Sequence, residues 1–127
     1  MSILFEYRVN DAFLVATISD TSISAQRAKT ILKLIETECH KYKCQKALVN
    51  ELALEKREIA NHQLHTIAES MPDIHLAFLC RPELKDDKAK LFAAITFNEG
   101  YLLKHFSVEK EAIDWLKTIK RPSTADL

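Results

Sequence analysis

A short apolar segment in the middle of the chain constrains the fold most. Residues 46–54 read KALVNELAL, with Leu48 and Val49 between a polar approach and the charged residues 55–58. Segments with helical periodicity flank this segment on both sides. The arrangement is typical of an inner strand of an α/β sheet, followed by a loop. Because sites in such sheets usually lie beyond the C-terminal ends of strands, this loop is the first candidate for one.

Strand and helix patterns alternate along the rest of the chain. Residues 3–9 alternate apolar and polar side chains, and residues 12–19 form an apolar run after the turn residues Asn10-Asp11. These two segments predict an antiparallel hairpin. Further strands are predicted at residues 74–80 and 101–106. Apolar spacing by threes and fours predicts four helices, which span about residues 25–42, 59–71, 84–98 and 108–119.

The predicted order is β-β-α-β-α-β-α-β-α. Strands that alternate with helices become parallel neighbours joined by right-handed crossovers, and the hairpin adds one antiparallel pair. The sequence therefore predicts one α/β domain over residues 1–120, with a mixed five-stranded sheet, four main helices and unequally covered sheet faces. Gly100 is expected to end the third helix in the left-handed conformation, and Ser107 to cap the fourth. Residues 121–127 lose periodicity and are expected to fray.

Composition narrows the classes of function. The 127 residues include 18 basic and 18 acidic side chains, which argues against a nucleic-acid partner. No apolar run reaches the roughly 18 residues that span a bilayer, so we expect no stable membrane insertion. Three cysteines without an export signal predict reduced thiols and a cytoplasmic protein. The single glycine, Gly100, argues against glycine-rich phosphate-binding loops.

Three stretches between residues 74 and 116 carry a family resemblance. They read IHLAFLCRPE, LFAAITFNEGYLLKHF and VEKEAIDWL. They resemble the second half of bacterial STAS domains of the SpoIIAA-like type, the fold of anti-sigma-factor antagonists. The most specific piece is the helix exit Asn98-Glu99-Gly100 with the strand and helix that follow it. The first half matches in element order only, and that order covers residues 3–119.

The resemblance implies a non-catalytic regulatory module that binds a protein partner. Phosphorylatable members of the family place a serine or threonine at the start of the helix after the central strand. Residues 54–58, LEKRE, occupy that position here, and the next hydroxyl is Thr66. The usual phosphorylatable serine is therefore missing. Related domains are similar to SEC14-like lipid-transfer folds, which implies the alternative of a carrier for a small or lipid-like ligand.

Polar side chains follow the second strand and the central strand at one predicted edge of the sheet. Parallel neighbours bring the two exits together, so we expect a binding surface there for a protein partner or a small apolar or anionic ligand. Arg57 is expected to be solvated, with a replacement by alanine changing stability by about 0.5 kcal/mol. The predicted surface consists of Asp20, Thr21, Ser22, Glu55, Arg57 and Asn61.

Two other groups of residues could suggest a metal site or a hydrolase. His62 and His65 are three residues apart on a predicted helix, which is compatible with one metal ion, but two ligands do not make a site. Asp20 and Ser22 with a distant histidine lack the strained turn of a hydrolase nucleophile. We expect no cofactor, no metal and no enzymatic activity.

Two functions stay open at the level of sequence. A protein-binding module has a filled core and an exposed apolar patch, whereas a ligand carrier has an apolar pocket on which a few polar groups converge. Whether the chain forms a homodimer is also left open.

Overall fold

The computed structural model describes residues 3–119. Strands and helices alternate over this range. In chain order they are β1 (Ile3–Arg8), β2 (Phe13–Ile18), β3 (Ser22–Ser24), α1 (Ala25–Tyr42), β4 (Lys46–Asn50), β5 (Lys56–Glu58), α2 (Leu64–Ala68), β6 (His75–Leu79), α3 (Asp87–Asn98), β7 (Leu103–Phe106) and α4 (Glu109–Thr118). Short 3-10 turns at Asn61–Gln63 and Pro82–Leu84 precede α2 and α3. The frayed tail predicted for residues 121–127 lies outside the described residues.

The main sheet has five strands in the order β1-β2-β4-β6-β7. The β1–β2 pair is antiparallel, and the other neighbours are parallel. This confirms the predicted mixed five-stranded sheet with four helices and an N-terminal hairpin. The short strands β3 and β5 pair in parallel as a separate ribbon, which the sequence patterns did not predict.

The two faces of the sheet are covered unequally, as predicted. Helices α1, α2 and α3 pack on one face, here called the helix-covered face, and α4 packs on the other. Alternation along each strand divides the side chains between the faces. The helix-covered face takes Leu14, Ala16 and Ile18 of β2, Ala47 and Val49 of β4, and Leu76 and Phe78 of β6. The α4 face takes Phe13, Val15, Leu48, Ala77 and Leu79.

Two helix ends have the capping residues expected from the sequence, and a third does not. Ser24 caps α1, because its hydroxyl accepts a hydrogen bond from the Arg27 amide at 3.1 Å. Gly100 has φ 91°, and the following Tyr101 amide donates to the Thr96 carbonyl at 2.9 Å, which confirms the predicted left-handed helix end. The predicted Ser107 cap is wrong, because α4 begins after Val108 without a side-chain cap.

The largest departure from the predicted elements lies between β4 and α2. The central strand ends at Asn50, whose side-chain oxygen accepts from the Leu52 amide at 3.1 Å and turns the chain. Residues 56–58 then form β5, a strand that the sequence patterns did not predict. The predicted helix over residues 59–71 is reduced to the five residues of α2. Backbone pairing with β3 takes precedence here over the apolar spacing.

The central strand gives a stability prediction. Leu48 is 1% exposed, so Leu48→Ala should lower the free energy of unfolding by about 2 to 5 kcal/mol through lost burial and a residual cavity. Leu52→Ala is the matched control, because Leu52 is 41% exposed and its loss should cost about 0.5 kcal/mol. Chemical denaturation measures both. Equal losses in the two variants would contradict the central placement of β4.

Candidate functional site

The exits of β2 and β4 meet at one edge of the molecule, as predicted. The Thr21 carbonyl accepts from the Glu55 amide at 2.7 Å and from the Lys56 amide at 3.3 Å. One residue further on, the Ser22 hydroxyl donates to the Glu58 carboxylate. Asp20 turns away from solvent and pairs with Arg27 of α1 at 3.0 Å. The structure therefore brings Thr21, Ser22 and Glu55 together, and it gives Asp20 and Ser22 roles in holding the loops.

Arg57 does not lie on the solvated surface, so that expectation was wrong. Its side chain is 12% exposed, because alternation along β5 points Lys56 and Glu58 outward and Arg57 inward. The guanidinium donates through Nη1 to the Leu84 carbonyl at 2.8 Å and through Nη2 to Glu51 Oε1 at 3.1 Å. A carboxylate oxygen of Asp86 lies 3.8 Å from Nη1. The residue expected to contact a partner from outside instead joins three segments of the interior.

Glu51 provides the carboxylate that pairs with Arg57. It follows β4 directly, and alternation from Ala47 through Val49 carries it onto the helix-covered face. Its amide still pairs with β6, donating to the Leu79 carbonyl at 2.9 Å. Burial raises the pKa of Glu51 from its ordinary value of 4.5 to about 6, and the nearby Arg57 opposes that rise.

A cavity of about 70 Å³ lies beside this ion pair, between the helix-covered face and α1, α2 and α3. We call it the core cavity. Its wall is mainly aliphatic and aromatic: Ile18, Ile23, Ala28, Ile31, Leu32, Ile59, Leu64, Ile67, Phe78, Ala89 and Phe92 line it. Glu51, Arg57, Lys88 and His105 are its ionisable residues among those described.

Small side chains on the helices and flat rings on the sheet explain why space is left here. Ala28 of α1 and Ala89 of α3 face the cavity where larger residues would fill it. Phe78 and His105 are register partners on β6 and β7, and their rings stack 5.2 Å apart. Burial lowers the pKa of His105 to about 4, so its ring is neutral at pH 7. The β3–β5 ribbon adds Ile23 and Arg57 to the wall and so closes one side.

Lys88 lies between the core cavity and the surface. It is in the first turn of α3, and its ammonium donates to the Ile59 carbonyl. The same residue lines a shallow surface depression with Asn61, Asp86, Asp87 and Leu91. Asn61, predicted as a binding residue, therefore lies at this outer depression and does not line the core cavity.

Sequence reasoning missed Glu51, Lys88 and His105 as cavity residues. Glu51 and His105 each had a signal, because extending the period-two pattern of β4 and β7 places both on the helix-covered face. Lys88 had none, since a lysine in the first turn of a helix reads as a solvated residue.

The two histidines considered for a metal site do not form one in the described part of the chain. His62 and His65 are both exposed, and within residues 3–119 no group of three histidine, cysteine, aspartate or glutamate side chains is placed to hold a metal ion. Cys39, Cys44 and Cys80 are buried free thiols. No helix in the described part of the chain is long and apolar enough to cross a membrane.

Comparisons with protein-family models, with curated proteins and with solved structures found no match to this chain. The STAS resemblance therefore stays a prediction from the sequence.

The buried ion pair predicts that replacing Arg57, which was expected to be solvated, lowers the free energy of unfolding strongly. Arg57→Ala should lower the free energy of unfolding by about 3 to 5 kcal/mol, because it leaves the Glu51 carboxylate buried without its counterion. Lys56→Ala, on the outward side of β5, should change it by about 0.5 kcal/mol. Urea denaturation at pH 7 measures both. An Arg57→Ala protein as stable as Lys56→Ala would contradict the structural role of the pair.

Glu51 predicts a specific dependence of stability on pH. Because its folded-state pKa is raised to about 6, the folded protein holds this proton more tightly than the unfolded chain does. The corresponding stabilisation is present below pH 4.5 and is lost as pH rises through 6, an effect of ~2 kcal/mol. Glu51→Gln removes the titration but leaves His105 unchanged. The stability of the wild type minus that of Glu51→Gln should therefore fall by about 2 kcal/mol from pH 4 to pH 7.

The matched control for this titration is Glu55→Gln, because Glu55 is exposed at the same edge of the sheet. Its free energy of unfolding at pH 7 should stay within about 0.5 kcal/mol of the wild type. A flat difference curve for Glu51→Gln would contradict the raised pKa of the buried carboxyl.

Proposed function

We propose that this chain is a non-catalytic binding protein that holds a small apolar molecule in the core cavity. The observation that carries the proposal is a mainly apolar space between the sheet and the helices, whose lining also includes Glu51, Arg57, Lys88 and His105. This is the arrangement of small-molecule sites, where apolar walls supply affinity and a few polar groups fix orientation. It is the feature that separates a ligand carrier from a protein-binding module with a filled core.

An apolar ligand would stabilise this fold by restoring contacts that the cavity lacks. Side chains around an empty space have no partner atoms on one side, so they lose dispersion energy. Ile31, Leu32 and Phe92 on the helices face Ile18 and Phe78 on the sheet across that space. A ligand that touches both layers would bridge them and raise the free energy of unfolding.

The dimensions of the core cavity favour a small ligand. A volume of about 70 Å³ has room for only a few water-sized groups. A whole lipid with two acyl chains is much larger than this cavity. Of the lipid-like ligands, only a small molecule with one short apolar chain therefore fits.

A second candidate is the protein-binding regulatory module that the STAS resemblance implies. It is favoured by exposed apolar side chains at one edge of the sheet, where Leu4 of β1 is 71% exposed and Val9, directly after β1, is 75% exposed. Residues 56–58 at the usual phosphorylation position form β5, and Ser22 beside them binds Glu58, which argues against a phosphorylation switch of the usual kind. A cytoplasmic location belongs to this proposal as well, because three free buried thiols suit a reducing compartment.

A neutral apolar probe tests the proposed function. Titration of the ¹⁵N-labelled chain with 1-hexanol should shift the amide signals of residues around the core cavity, such as Ile31, Phe78 and Phe92, since the alkyl chain enters the apolar space. Ala28→Phe should abolish these shifts, because the added ring fills the cavity. Ala94→Phe is the control, as Ala94 is exposed on α3 and should leave them unchanged.

Shifts confined to the β1 edge around Leu4 and Val9 would contradict a core site and favour the protein-binding candidate. Shifts that persist in a folded Ala28→Phe protein would also place the ligand elsewhere.

A further inference from the structure

One cation in the wall of the core cavity, Lys88, has no carboxylate partner among the described residues. The other cation, Arg57, pairs with Glu51 at 3.1 Å and has Asp86 at 3.8 Å, and His105 is neutral at pH 7. We propose that the ligand of the core cavity is a short apolar monocarboxylate whose carboxylate binds Lys88 and Arg57. This inference rests on the proposed function, since it names the chemical class of the molecule held there.

Lys88 is the cation left to receive an anion. Its ammonium donates to the Ile59 carbonyl, and no carboxylate within the described residues forms an ion pair with it. An ammonium has three donors, so two are left after this contact. The side chain is partly buried, which weakens its hydration and strengthens its attraction to a neighbouring anion. A ligand carboxylate would supply the counterion that the wall itself does not give Lys88.

Arg57 supplies a second donor group that is already held in place. Hydrogen bonds from Nη1 to the Leu84 carbonyl and from Nη2 to Glu51 hold the guanidinium in place. A guanidinium has five N–H donors in a rigid fork, and the hydrogen bonds to Leu84 and Glu51 use two of them. A carboxylate is planar and has two acceptor oxygens, so it suits a site between a rigid fork and a flexible ammonium.

The apolar lining of the core cavity determines the chemistry of the rest of the ligand. The rest of the lining consists of isoleucine, leucine, alanine and phenylalanine side chains, which offer a second charged group no partner. The volume of about 70 Å³ limits this part of the ligand to a short alkyl chain, straight or branched. Hexanoate has these properties and serves as the probe.

The test compares three probes of equal chain length: hexanoate, 1-hexanol and hexylamine. Their dissociation constants for the full chain are measured at pH 7.5 by following the amide signals of the core cavity. Hexanoate should bind about tenfold more tightly than 1-hexanol, because it adds a charge-assisted contact with Lys88. Hexylamine should bind more weakly than 1-hexanol, because its cation would repel the Lys88 ammonium.

Variants at Lys88 identify the group responsible. Lys88→Gln should weaken hexanoate about tenfold and leave 1-hexanol unchanged, while Lys88→Arg should keep the preference for hexanoate. Lys90→Gln is the matched control, since Lys90 is exposed on the same helix and does not line the cavity. It should leave all three constants as in the wild type.

The outcomes separate this inference from the proposed function. Equal binding of hexanoate and 1-hexanol at the core cavity would overturn the carboxylate and leave the apolar site standing. Failure of all three probes to shift cavity residues would overturn both. Because the comparison of probes uses the wild-type chain, a Lys88→Gln protein that failed to fold would not remove the test.

Discussion

A carboxylate buried at the end of the central strand is the constraint on which the rest of the site depends. Pleating of β4 places Glu51 on the same face as Ala47 and Val49, under the helices and away from water. A buried carboxylate needs a counterion or a proton, and the fold supplies Arg57 from β5. The three-residue ribbon of β3 and β5 thus has a clear physical role, because it delivers the guanidinium that makes the burial of Glu51 tolerable.

The ion pair lies beside an open space in the core. Its wall also includes the aromatic rings of Phe78 and His105, and the alanines at positions 28 and 89 do not fill it. Interiors are normally close-packed, so a cavity next to a compensated charge pair is a feature that requires explanation. The proposed ligand binding would account for it, because the charged and aromatic side chains of the wall can orient a small molecule.

Periodicity in the sequence was sufficient to predict the sheet, its hairpin and the long helix α1, since these elements bury continuous apolar stripes. It failed over residues 51–63, where the decisive interactions join residues far apart in the chain: Thr21 with Glu55, and Arg57 with Leu84. The meeting of the β2 and β4 exits was predictable from the topology of parallel strands. The inward turn of Arg57 was not, because the charged run around it reads as solvated until its pairing with β3 is known.

The central claim concerns where a small apolar acid lies in the fold. Nuclear Overhauser effects between hexanoate and the ¹³C-labelled chain locate each end of the ligand directly. The account predicts contacts from the terminal methyl group to Ile31 and Phe78, and from the methylene next to the carboxylate to Lys88, because these residues line the apolar and charged parts of the core cavity. Contacts confined to exposed apolar residues such as Leu4 and Val9 would contradict it.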